Sequence, residues 1–148
     1  MPEKETLERA EQDKREGKAP STQAGEFVHE EIEHIREGKH GARSTKQAIA
    51  IGLSKARRAG VDLPPPKEGE ASESTRRQAK RDLRKGKSAA KRKTSSKRSR
   101  ATRAALKREG RSAASKKALS RQARSVAAKR TRASRSKSAK KAAATRKK

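Results

Sequence analysis

The sequence predicts a mainly α-helical chain of two unequal parts. A short helical hairpin comes first, and a long basic C-terminal tail follows, largely disordered and only conditionally helical. Three observations carry this reading. Charge is partitioned: residues 71–148 hold 31 Lys/Arg against three acids (Glu73, Asp82 and Glu109), whereas the preceding residues hold 13 Lys/Arg against 14 acids. Large apolar side chains are concentrated in residues 22–63, and beyond residue 70 only Leu83, Leu106, Leu119 and Val126 occur. So few cannot bury enough surface to offset chain entropy, and high net charge adds to the deficit. Within residues 22–63, in contrast, apolar positions recur at helical spacing.

Residues 1–21 form an acidic, polar segment. A helix over Glu3–Glu16 has only Leu7 and Ala10 to offer a partner, so the segment is expected to be disordered or a marginal helix. The hairpin module spans residues 22–63. Its first helix is expected from about Ala24 to Glu37, with Val28, Ile32 and Ile35 on one face and Phe27 beside them. Gly38 is placed to end it.

The second helix carries clear punctuation. Ser44 and Gln47 make a capping box. Ile49, Leu53 and Ala56 share a face, and Arg57 and Arg58 suit the helix C-terminus. Gly60 and Val61 complete a Schellman ending before Leu63-Pro64-Pro65-Pro66 blocks continuation. The expected module core is Phe27, Val28, Ile32, Ile35, Ile49, Leu53 and Val61. Its stripe is either buried internally or shared with a partner, so a homodimer through the hairpin is one expectation. Residues 64–74 read as a Pro/Gly/Glu linker, and residues 75–148 as a polycationic low-complexity tail. A short helix is expected from Ser74 to Lys85, ending at Gly86.

The tail points to a polyanionic partner. The candidate phosphate-contacting residues are Arg76, Arg77, Lys80, Arg81, Arg84, Lys85, Lys87, Lys91, Arg92, Lys93, Lys97, Arg98, Arg100, Arg103, Lys107, Arg108, Arg111, Lys116, Lys117, Arg121, Arg124, Lys129, Arg130, Arg132, Arg135, Lys137, Lys140, Lys141, Arg146, Lys147 and Lys148. The tail has no aromatic residue, which removes base stacking as a mode of contact. Sequence-independent contact with the backbone of double-stranded DNA is therefore the expected function, with compaction as its consequence. RNA is the rival polymer, because Arg and Lys occur in nearly equal numbers. A third reading makes the hairpin a docking module for a protein partner, with the tail for electrostatic retention.

Other chemistry is expected to be absent. No cysteine occurs, so disulfides, Cys-built zinc knuckles and thiol catalysis are excluded. His29, His34 and His40 invite a metal reading, but His29 and His34 stand at i, i+5, about 140° apart on a helix, and the H-E-x-x-H spacing is missing. Glu30, Glu31, Glu33 and Glu37 read as a solvated acidic face. No phosphate-binding loop or nucleophile motif is present. The chain is expected to be a non-enzyme with no cofactor and no bound metal. The N-terminus lacks the apolar segment of a secretory signal, no apolar run reaches membrane-spanning length, and a cytoplasmic, nucleoid-associated location is expected.

Two resemblances accompany these readings. Residues 26–60, with Ser44-Thr45-Lys46-Gln47-Ala48-Ile49-Ala50-Ile51-Gly52-Leu53-Ser54-Lys55-Ala56, resemble a small uncharacterised bacterial helical domain with an S-R-K-Q-A-I-A-I-A-L-S-E-A core. Gly52 and Lys55 depart from that pattern, and the resemblance implies no activity. Gly52 alone would weaken the helix by about 1 kcal/mol. The Lys/Arg/Ala-rich tail resembles bacterial histone H1-like proteins, which implies coating and condensation of DNA.

Overall fold

The computed structural model describes residues 1–88 and 93–146. Seven α-helices occur among them: α1 (Lys4–Arg15), α2 (Pro20–Arg36), α3 (Thr45–Arg58), α4 (Glu73–Lys87), α5 (Ser96–Arg108), α6 (Lys116–Lys129) and α7 (Arg132–Arg146), with one 3-10 turn at Ser112–Ala114. Helices α2 and α3 form the expected hairpin. Helix α1 packs on α2, α4 packs on α3, and the 3-10 turn with the start of α6 sits against α2 and α3.

Local signals explain the hairpin. Helix α2 starts four residues earlier than the apolar stripe suggests, because Pro20 fits the first helical position, where no N–H is needed. Gly38 takes φ +79°, Gly38 N–H donates to the Ile35 carbonyl at 3.1 Å, and Lys39 N–H donates to the His34 carbonyl at 2.9 Å. That Schellman ending turns the chain back toward α3. Ser44 accepts from Gln47 N–H at 3.2 Å, while Gln47 Oε1 accepts from Arg43 N–H at 2.7 Å, one residue upstream of the usual capping-box partner. Gly60 takes φ +102°, and Val61 N–H closes on the Ala56 carbonyl at 3.1 Å.

The core is built in two parts. Ala10, Ala24, Phe27, Ala56 and Val61 are buried together, with Leu53 and Leu63 against them. Ile32, Ile35, Ala42, Ala48, Ala113 and Ala114 form the second part, with Val28 and Leu119 at its edge. Ile49 is half-buried and stands outside both. Much of the hairpin's apolar face is covered within the chain, by α1 on one part and by Ala113–Ala114 on the other.

The tail is not a long disordered segment. Residues 96–146 are organised into α5, the 3-10 turn, α6 and α7, so the fold is all-helical through the described residues. Counting only large apolar residues misses three devices. The tail buries alanine instead: Ala79, Ala113 and Ala114 are at most 5% exposed. It uses polar anchors: Thr45 Oγ1 donates to the Ala113 carbonyl at 2.7 Å, and Arg36 Nε donates to the Ala114 carbonyl at 3.1 Å. It is also rich in Ala, Arg and Lys, which are strong helix formers, and no Gly or Pro interrupts α5, α6 or α7. Ser72 and Ser115 cap α4 and α6. Helix α4 runs through Gly86 to Lys87 rather than stopping there, since Gly86 is the point at which it approaches the Arg57 carbonyl.

The N-terminal segment is likewise an ordered helix. Thr6, Ala10 and Asp13 are buried on α2's side. Arg9 Nε pairs with Glu26 at 2.7 Å, and Glu3 N–H donates to Glu30 Oε2 at 3.0 Å. Docking supplies what an isolated helix of this length lacks.

Gly52 marks the closest approach of α2 and α3. A Cβ there would sit 2.7 Å from Val28 Cα and 2.9 Å from Val28 N. Helix propensity alone predicts that Gly52→Ala stabilises by about 1 kcal/mol. The crossing predicts the opposite: backbone atoms cannot rotate away, so the helices must separate, at a cost of about 1–3 kcal/mol. Urea denaturation followed by circular dichroism checks the sign.

Candidate nucleic-acid interface

The 31 candidate cations do not behave alike. Three of them are paired with acids. Arg76 pairs with Glu73 at 2.8 Å and donates to the Pro66 carbonyl, Arg77 pairs with Glu73 at 3.2 Å, and Lys87 pairs with Asp62 at 3.0 Å. Arg77, Lys80, Arg81 and Arg84 line one shallow cationic groove on α4. Arg111 reaches back to the Arg36 carbonyl at 3.5 Å, and Arg130 caps forward onto Ser134 and Ser138. Lys85 and Lys93 are exposed. Lys91, Arg92, Lys147 and Lys148 lie outside the described residues.

The remaining cations make up the candidate interface. Helix α5 presents Lys97, Arg98, Arg100, Arg103, Lys107 and Arg108. Helix α6 presents Lys116, Lys117, Arg121, Arg124 and Lys129. Helix α7 presents Arg132, Arg135, Lys137, Lys140, Lys141 and Arg146. All 17 are exposed, no acid occurs in these three helices, and none of the 17 forms an ion pair among the described residues. At roughly 100° per residue, the cations of α7 fall on every side of the helix rather than on one stripe. Helices α5, α6 and α7 contain no buried residue. Helix α6 lies against α3 with Leu119 at the core's edge, whereas α5 and α7 make no extensive contact with another helix among the described residues; the end of α5 is held by Gly41 N–H on the Leu106 carbonyl (2.9 Å) and Ala42 N–H on the Gly110 carbonyl (3.1 Å).

This arrangement concentrates positive potential without internal neutralisation, which attracts a polyanion and steers its approach. It offers no pocket and no aromatic platform, so it cannot read a base by stacking. Such side chains displace counterions wherever they meet phosphates. Among the described residues, no helix is long and apolar enough to cross a membrane.

Arginines of the module are spent differently. Arg57 is buried, and its guanidinium donates to the Leu63 and Pro64 carbonyls, each at 3.2 Å, strapping the proline segment onto α3. Burial pulls its pKa below the usual guanidinium value, against an opposing pull from Asp82. Arg58 and Ser54 meet Asp82, which is 1% exposed, at 3.0 and 2.6 Å, and Gln78 donates to it at 3.1 Å. Asp82 was legible only as one of three acids in a basic tail; its isolation there was the available signal.

A second constellation lies at the α2–α3 turn. Glu31 and His34, one turn apart on α2, meet His40 from the connecting loop, and one ligand atom from each lies within 4.8 Å of the others. His29, which helical spacing sets apart from His34, is exposed and takes no part. The signal that was available is Glu31-x-x-His34 followed by the Gly38 reversal. Glu3 pairs with His34 at 2.9 Å and with Lys39 at 3.2 Å, and hydrogen bonds to these two hold its carboxyl below the ordinary range. Beside it, burial would raise the Glu30 carboxyl. The Glu3 N–H, Thr6 and Lys55 outweigh that and hold it low.

Residues 6–67 match the model of a family described as Family of unknown function (DUF6496). The matched stretch covers most of α1, all of α2 and α3, and the proline strap, so it is a small helical domain of uncharacterised role. No curated protein and no solved structure matches the chain.

Proposed function

We propose that this protein is a non-catalytic, histone H1-like DNA-binding protein that coats and compacts duplex DNA without sequence preference, in association with the nucleoid. One observation supports the reading above others: α5, α6 and α7 carry 17 exposed Lys/Arg, with no acid among them and no ion pair to withdraw them. Phosphate contact is what such side chains do, and positioning on phosphates carries no sequence information. Cations on all sides of a projecting helix allow two duplex segments to be held by one chain, which is the physical basis of compaction. The module organises these helices through Ala113–Ala114 and the α5 base.

Gel-shift competition at matched salt tests the proposal. Two unrelated duplexes are expected to compete within about threefold of each other, and both to outcompete structured RNA of equal length. A strong preference for RNA transfers the reading to an RNA- or ribosome-associated protein. Failure to bind either polymer, with capture of a protein through the hairpin, supports the docking-module reading instead.

A further inference from the structure

We propose that Glu31, His34 and His40 form a binding site for a divalent transition-metal cation of the zinc class. The fold brings these three residues together for identifiable reasons. Glu31 and His34 stand at i, i+3 and therefore share a face of α2. The left-handed turn at Gly38 reverses the chain within one turn of His34. His40 is thereby laid against the same face, with its ring at 83° to that of His34 and the two centroids 6.1 Å apart.

The hydrogen bonds orient the donors as a metal site requires. His40 Nδ1 lies 3.0 Å from the Gly41 carbonyl, so that nitrogen carries the proton and donates. The other nitrogen, Nε2, then presents a lone pair. It faces Glu31 Oε1 at 3.0 Å, an atom that also has only lone pairs when ionised. Two acceptors at that distance repel unless a positive charge stands between them. A proton on His40 satisfies this, and so does a metal cation bridging nitrogen and oxygen.

Three features favour the cation. The Glu31 side chain is 1% exposed, and the two imidazoles are 13% and 14% exposed, so the donors are held out of water. A second carboxylate, Glu3, pairs with His34 at 2.9 Å, the carboxylate–histidine arrangement that orients metal-bound imidazoles. Charge also favours it. Glu30 and Glu31 bring two buried carboxylates, and Lys55 alone answers both, at 3.3 and 2.7 Å. Glu31 Oε2 is buried and ion-paired with Lys55 but accepts no aligned hydrogen bond, so the carboxylate's negative charge is incompletely answered. Two imidazole nitrogens and one carboxylate oxygen are a zinc-type donor set, with a fourth position left for water. Bonds of about 2.0–2.1 Å require the donors to draw together by roughly 1 Å from their present spread.

The test uses the full-length protein, stripped of metal by chelation and titrated with zinc ion against a chromophoric chelator. One equivalent is expected to bind saturably. Histidine side-chain resonances in NMR spectra should shift for His34 and His40 and stay fixed for His29. His34→Gln and His40→Gln should each weaken binding at least tenfold, and His29→Gln should leave it unchanged. The NMR arm uses the unaltered chain, so it holds even where a variant loses its fold. Absence of saturable binding, shifts at His29 equal to those at His34 and His40, or undiminished binding in both glutamine variants would overturn the site.

Discussion

Asp82→Ala is expected to lower stability by about 2–4 kcal/mol, the largest effect of any single substitution outside the module core. The side chain is 1% exposed and accepts from Ser54, Arg58 and Gln78. Hydrogen bonds to an ionised acceptor contribute about 1.5–3 kcal/mol each when measured by truncation, and they are not additive within one network. Little else fixes α4 to α3, since its buried apolar contribution is Ala79. Amide exchange should therefore accelerate across Glu73–Lys87 while α2 keeps its protection. Asp82→Asn retains the volume and one acceptor and should lose less. Urea denaturation followed by circular dichroism gives the free energies; equal stability of Asp82→Ala and the parent would remove Asp82 as the anchor.

The second large effect concerns binding. Replacing the six cations of α7 with glutamine is expected to weaken duplex binding roughly a hundredfold at physiological salt, if about half of them contact phosphate. Folding should not change, because α7 contains no buried residue. This design is cleaner than trimming the chain from residue 75. Such a deletion also removes Ala79, Asp82, Ala113 and Ala114, which cover the module, so lost binding would be confounded with lost structure. Fluorescence anisotropy with a labelled duplex reads the affinity, and a circular dichroism melt of the same sample reads the fold.

Much of the hairpin was legible in the sequence because its signals are local. Ser44, Gln47, Gly38, Gly60 and Val61 act through hydrogen bonds to near neighbours in the chain, and all appear where their chemistry requires. The tail was not legible as structure, because its folding is neither local nor apolar in the usual sense. Ala113 and Ala114 are small residues whose burial depends on a groove formed some 70 positions earlier by α2 and α3. Composition ranks them as solvated, and only tertiary contact makes them core. Gly52 was read as a weakness in α3 for a similar reason: propensity sees the missing side chain, whereas packing uses the space it leaves for Val28.

The candidate cationic interface was legible as a list of residues but not as a shape. Charge partition located it in the C-terminal half. It could not separate Arg76, Arg77 and Lys87, which are paired with acids, from the unpaired cations of α5 to α7. Histidine spacing along α2 likewise set His29 apart from His34 and offered no metal site, whereas the Gly38 reversal brings His40 to His34. A search along one helix cannot find a partner delivered by the following loop.

The dependence of duplex affinity on salt, measured on the full-length protein from about 50 to 300 mM, tests the central claim most directly. If about ten of the exposed cations engage phosphate together, log K falls against log salt with a slope of roughly −9, the same for unrelated duplexes. A slope near zero, or one that differs sharply between duplex sequences, would mean that something other than exposed cationic helices on the phosphate backbone makes the contact.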